Sequence, residues 1–161
     1  MCAEPCATLL HMILSSSSIE QAIAHGEIGI TPFEKENLKG ASYTFTLGSK
    51  IRIPKIGVTT SVDTKAPSDE HEMDSTGFIL EPGKFILGVT RESLALNGKF
   101  GCFLSVRGSC AQIGLNALLS SSFAEPDTDN PQILEIQNAS QNPIRLYTRM
   151  KIVKGIFMRI E

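Results

Sequence analysis

No apolar run in this 161-residue sequence approaches the roughly 20 residues that a membrane-spanning helix requires. The opening MCAEPCATLLHM has neither a basic leader region nor a proper apolar core, so no secretory signal is expected and the chain is read as cytoplasmic. Excess positive charge is missing too. Fifteen Lys and Arg face 17 Asp and Glu, a formal net charge of -2, which gives no electrostatic footprint for a nucleic-acid duplex. Any anionic ligand must therefore be gripped locally. The four cysteines, Cys2, Cys6, Cys102 and Cys110, form no CxxC pair, and a chain of this length holds a core without disulfide staples, so they are read as thiols. Cys2, Cys6 and His11 match no common zinc spacing.

Several catalytic signatures are absent as well. A Walker phosphate loop, a dinucleotide-binding GxGxxG and a GxSxG nucleophile elbow do not occur. Nor does HxE followed by PCxxC, the pattern by which zinc nucleobase deaminases activate water and shuttle its proton. His71 and Glu72 are adjacent and lack that spacing; His71 is read as a solvated loop residue.

What is present is the composition of one domain, 42% apolar and 20% charged. Ser17 and Glu20 read as a capping box, Ile19, Ala22 and Ile23 as an apolar stripe and Gly26 as a stop, which predicts a helix of about two turns. After Gly26 the sequence reads as short strands: YTFTL, KIRIP, GFIL, KFILGV, FLSV, ILEIQN, IRLY and KIVKGIF, punctuated by Gly, Pro, Asn and Asp. In YTFTL, Tyr43, Phe45 and Leu47 alternate with Thr44 and Thr46, the pattern of a half-buried strand. The longest polar interruption, 62–76, is read as a mobile loop. The fold expected is mainly β, a β-sandwich or jelly roll with one short N-terminal helix.

Three polar residues stand out in this frame. LSVRGSCAQIGL puts Arg107 and Ser109 on a glycine-hinged turn between apolar stretches, and QILEIQ puts Glu135 on the strand face opposite Leu134 and Ile136. The planar guanidinium of Arg107 suits phosphate, since it bonds two oxygens at once, and it equally suits a surface ion pair. Among apolar neighbours a carboxylate has its charged form disfavoured, as a general base near neutrality requires; a strand glutamate facing solvent fits the same pattern.

These segments resemble the dCTP deaminase branch of the dUTPase-like superfamily. MILSSSSIEQAIAHGEIGITPF, ASYTFTLG, FILEPGKFILGVTRESLAL, VRGSCAQIGL and ILEIQN are similar, in that order, to the family's opening helix and turn, its Ser-Ser-Val-Asp-Leu-Arg-Leu-Gly, its central strand pair, its Gly-Arg-Ser-Ser-Leu-Ala-Arg-x-Gly-Leu and its Thr-Leu-Glu-Leu-x-Asn. The resemblance starts near Met12, an alternative start, so 1–11 is expected to be a poorly ordered extension and 12–161 a single dCTP deaminase/dUTPase-like domain. It implies a homotrimer with sites between subunits and zinc-independent deamination of a pyrimidine deoxynucleotide, with Mg²⁺ carried by the triphosphate. Nucleic acid and membrane are not expected partners. Catalysis would fall to Glu135 as activator of water, and substrate binding to Arg107, Ser109, Gln112, Ser121 and Glu125, the last at the position of an acid that bonds the deoxyribose.

Departures from the pattern weigh on that reading. Gly108 stands for the first serine of the family pair and Gln112 for its second arginine; Leu118 stands for a histidine, Ser121 and Ser122 for Ala and Gly, and Thr44 for an aspartate. One hydrogen bond to a charged group is worth about 1.5–3 kcal/mol, so triphosphate binding is expected to weaken. The family's further C-terminal tail, which closes over the phosphates, is not seen after Glu161. Arg149 replaces a glycine and Lys154 a glutamine; they are candidates for substitute phosphate contacts, and both are read as solvated charges. Approach of Lys151 or Lys154 to Arg107 would restore the lost charge. The alternative function is a non-catalytic trimer of this fold with weak nucleotide or protein binding.

Overall fold

The computed structural model describes residues 13–64 and 66–160; the N-terminal extension, with Cys2, Cys6 and His11, lies outside them. Helix α1 spans Ser16–Ala24, two residues earlier at its start than the capping-box reading places it. Its N-cap is Ser15, whose Oγ accepts the Ser18 N–H at 3.2 Å, because in a run of four serines any hydroxyl can cap and burial decides the register. Ile19 and Ala22 are buried, and Gly26 ends the helix region at φ +70°. No helix among the described residues is long and apolar enough to cross a membrane.

Strands β1 (Ile28–Thr31), β2 (Leu38–Lys39), β3 (Ser42–Pro54), β4 (Ser68–Glu72), β5 (Phe78–Leu80), β6 (Phe85–Leu96) and β7 (Phe100–Val106) follow. Then come the short helix α2 (Gly108–Gln112) and strands β8 (Leu115–Asn116), β9 (Phe123–Ala124), β10 (Asp129–Asn138), β11 (Ile144–Leu146) and β12 (Lys151–Arg159). The path β8-β10-β6-β3-β12-β7-β9 forms one curled antiparallel sheet, with β1 on β6 and β2 and β4 on β3, while β11 pairs separately with β5. The expected sandwich is thus a sheet folded over a shared core.

YTFTL and KIRIP, read as two strands, are one. β3 pairs with β12 over Tyr43–Thr46 and with β6 and β4 beyond Leu47, so it belongs to both halves of the curl. Part of the interruption 62–76 is also strand rather than loop: β4 hydrogen-bonds to β3, setting His71 opposite Ile51, and Met73 is buried. Alternation there is masked because the strand is an edge whose outward side chains are polar on both faces. The turn after Arg107 is a short helix, too brief for a 3.6-residue period to register.

β6 alternates inward and outward over all twelve residues. The period therefore drives Thr90 and Glu92 inside with Ile86, Leu94 and Leu96. Gly88 on the same face is required by close approach: a Cβ there would lie 2.9 Å from Ile136 and 3.1 Å from Leu47. Buried polar groups must be paired. The Glu92 carboxylate, fully buried, accepts the Thr46 N–H at 2.8 Å and the Thr46 hydroxyl at 2.7 Å. The Thr90 hydroxyl donates to the Glu92 carbonyl at 2.7 Å and accepts the N–H of Gln132 at 2.8 Å, where β10 shifts register against β6. One polar relay so crosses β10, β6 and β3. It continues outward through Arg91, 4.0 Å from Glu92 and 2.6 Å from Glu34.

Thr46→Val keeps the shape but leaves a buried carboxylate oxygen without its donor, and is expected to cost about 1–3 kcal/mol by urea denaturation; an unchanged midpoint would refute the relay. The Glu34 carboxyl is held below the usual carboxylate range, chiefly by the hydrogen bond from Arg91, against partial desolvation. The folded state then binds fewer protons than the unfolded one, so this stability is complete above the unfolded pKa of about 4.3 and is lost as pH falls through the lower native value. Glu34→Gln is expected to flatten the acid limb of a stability-against-pH curve.

Candidate active site

Both candidate regions hang from the segment between β7 and β10. At its start, β12 shifts register between Lys151 and Val153 against β3. The Ile152 carbonyl at this irregularity accepts the Arg107 N–H at 2.9 Å, and the Arg107 carbonyl accepts from Cys110 and Ala111, opening α2. Cys110, buried, donates its S–H to the Lys151 carbonyl at 3.6 Å. Burial pushes its thiol up, against the opposing charge of Arg107. Cys110 is therefore a protonated floor residue rather than a nucleophile. Burial raises the Cys102 thiol as well.

Arg107 and Ser109 line a cleft of about 380 Å³ whose other walls are Cys110, Ile113, Arg145, Tyr147, Arg149, Met150 and Lys151. Arg149, which reads from the sequence as a solvated charge, is exposed, and the turn after β11 and the first residue of β12 bring it and Lys151 to the cleft of Arg107. Lys154 does not line it; it sits within β12 opposite Thr44 and Ser105. Gln112 lines an adjoining groove of about 740 Å³ that shares Ile113 and Arg145 with the first. At Gly108 an added Cβ would meet no atom within 4 Å, so the missing hydroxyl is a chemical difference and not a steric demand.

Glu135 lies at the other end of the segment. Its neighbours Leu134 and Ile136 are fully buried on the opposite face, as the alternation predicts. The expected apolar setting is only part of the picture: Oε2 accepts the backbone N–H groups of Leu119 and Ser120, both at 3.0 Å. β8 pairs with β10 at Asn116 and Gln137, and the Asn116 side chain accepts the Leu118 N–H at 3.2 Å, so the loop 116–120 is clasped onto the strand that carries the glutamate. Two donors on Oε2 fix the carboxylate, and no hydrogen bond to Oε1 occurs among the described residues. Ser121 is exposed at the end of that loop. Glu125 is exposed in the turn after β9, where its carbonyl accepts the Thr128 N–H. Neither of them, nor Glu135, lines the Arg107 cleft.

Sequence reasoning missed Arg145 altogether, for an alternating arginine on a three-residue strand carries no local signal. Lining both clefts, it donates to the Thr76 carbonyl at 2.6 Å. Among the described residues no group of three or more His, Cys, Asp or Glu is placed to hold a metal ion. The cleft's charged groups are cations, which suit phosphate oxygens.

The clasp on Glu135 has a direct signature. Amide protons of Leu119 and Ser120 are expected to exchange slowly in the wild-type protein and about tenfold faster in Glu135→Ala, because their acceptor is gone. Equal rates would mean the two bonds do not form in solution.

The family model described as dCTP deaminase-like matches residues 13–160. A curated relative from Corynebacterium kroppenstedtii, named dCTP deaminase, dUMP-forming, is 32% identical over 146 residues, which cover 88% of this chain and 78% of the relative. The solved structure of 2′-deoxycytidine 5′-triphosphate deaminase from Agrobacterium tumefaciens is similar with a TM-score of 0.72 at 21% identity, over 92% of this chain and 48% of that one. This chain thus spans about half the length of that structure's chain. The dUTPase of Streptococcus mutans is similar with a TM-score of 0.50 at 13% identity, over 83% of this chain and 95% of its own. Both structures are likenesses of fold, and the fold is dUTPase-like.

Proposed function

This chain belongs to the dCTP deaminase-like family, and from that premise we propose that it deaminates dCTP by hydrolysis. The observation that carries the reading is Glu135 on β10, a strand carboxylate with one oxygen tied to two backbone amides and the other free. In this reading the free oxygen takes a proton from water as the water adds to C4 of cytosine. The C4–N4 bond then breaks, and the proton is returned to the departing ammonia, leaving uracil. The relatives' printed product, dUMP, extends the reading to a second hydrolysis, of the bond between the α and β phosphates, releasing diphosphate.

Arg107 and Ser109 are assigned to the phosphates, Gln112 to the adjoining groove, and Ser121 and Glu125 to the base and sugar side. Mg²⁺ belongs to this scheme as the counter-ion that the triphosphate carries. Because Glu135 does not line the Arg107 cleft, this reading has the complete site between subunits of a homotrimer. Support comes from apolar side chains left uncovered: Phe103 and Phe123, paired across β7 and β9, are 41% and 39% exposed, and Ile133, two residues from Glu135, is 56% exposed.

The purified protein with dCTP and Mg²⁺ is expected to release ammonia, with Glu135→Gln losing at least about 10²-fold in kcat, the usual worth of a positioned general base. Gly108→Ser, which clashes with nothing, is expected to raise kcat/KM. The second reading, a non-catalytic trimer, is favoured by Gly108, Gln112 and Leu118 standing where the family has a serine, an arginine and a histidine; wild-type protein that releases no ammonia while still assembling as a trimer would establish it instead.

A further inference from the structure

The geometry points to a polyphosphate-binding cup in which Arg145, Arg149 and Lys151 join Arg107 and take over the work of the second arginine that Gln112 replaces. This inference rests on the nucleotide reading for the identity of the phosphate ester, but not for the cup. Four cations line one cleft of about 380 Å³, and no Asp or Glu is among its lining residues. Cations in the ion pairs of the described residues are Lys35, Lys55, Arg91 and Lys99, so none of the four is neutralised by a carboxylate. Arg149 contributes to the lowering of the Glu34 carboxyl, but that carboxylate is engaged by Arg91 at 2.6 Å. Gathering like charges without a counter-ion is unfavourable, and an anion of several negative charges relieves it.

The backbone adds an independent observation. Arg149 occupies the third position of the turn Tyr147–Met150, closed by the Met150 N–H on the Tyr147 carbonyl at 3.2 Å, with φ +64°. Every other described residue with positive φ is a glycine. A turn of this shape favours glycine at that position, since a Cβ meets the backbone in the left-handed region. The arginine is kept there against its conformational preference, where its N–H bonds the Leu47 carbonyl at 2.8 Å and its side chain lines the cleft. Lys151 follows two residues later and is tied to the cleft floor through Cys110. A planar guanidinium and an ammonium beside Arg107 supply the forked and point donors that adjacent phosphates accept.

The probe is inorganic tripolyphosphate, titrated calorimetrically into the full chain. Wild-type protein is expected to bind it with an affinity that falls as salt rises, and Arg149→Gly and Lys151→Met are each expected to weaken binding about tenfold or more, the worth of one charge-assisted bond. Arg149→Gly should do so without lowering the thermal unfolding temperature, because glycine relieves the turn. A merely structural arginine would give the reverse, lower stability with unchanged binding. Arg149→Asn, neutral and tolerant of the same backbone, serves should the glycine variant fold poorly. Glu135→Gln should bind tripolyphosphate as the wild type does. No heat from the wild-type protein, or full affinity in both Arg149 variants, would overturn the cup. Loss of tripolyphosphate binding on Arg149→Gly in a protein that never turns over dCTP would instead sink the deaminase reading and leave the cup standing.

Discussion

A carboxylate buried between two strands of opposite halves of a sheet is the constraint on which this structure turns. The strict alternation of β6 leaves Glu92 nowhere to go but inward, and burial without partners would cost several kcal/mol. Thr46 meets that demand with both its backbone and its hydroxyl, at the point where β3 passes from β12 to β6. Thr90 meets the next one, pairing with the N–H that a register shift in β10 would otherwise orphan. The irregularities of three neighbouring strands are thus satisfied by one chain of hydrogen bonds.

The same logic positions the chemistry. A register shift in β12 supplies the carbonyl that holds Arg107, and two strand residues of β8 clasp the loop whose amides hold Glu135. Arg107 and Glu135 are therefore anchored at two ends of one connection, each to a strand of the sheet. Between those anchors Cys110, Leu115, Ala117 and Ala124 are buried, while Gly108, Ser109, Gln112 and Ser121 are exposed.

How much of this was legible in the sequence depended on the range of the signal. Period-two alternation in YTFTL and ILEIQN matches the burial of Tyr43, Phe45, Leu134 and Ile136 and the outward face of Glu135, but fails at Thr46, which is buried against Glu92. The edge strand β4 reads as a loop because its side chains are polar on both faces. Helix α2 reads as a turn because five residues carry no helical period. Arg107, Ser109 and Glu135 were found through resemblance of short motifs. Lys151 is named by the sequence as a companion for Arg107, whereas Arg145 carries no signal there and Arg149 reads only as a solvated charge, because what makes them a group is tertiary: a turn and two strands that meet only in the folded chain.

The sharing of β3 between both halves of the curl has a bearing on how the chain comes apart. In a sandwich of separate sheets, one layer can loosen while the other persists. Here the thirteen residues Ser42–Pro54 are common property, paired to β12 at one end and to β6 and β4 at the other. Loss of either pairing removes a template from the remaining half, so partial opening gains little conformational freedom before the whole core is exposed. Such a scaffold melts as one cooperative unit while the loops on its surface breathe independently. Residues on those loops can change their chemistry with little effect on whether the chain folds.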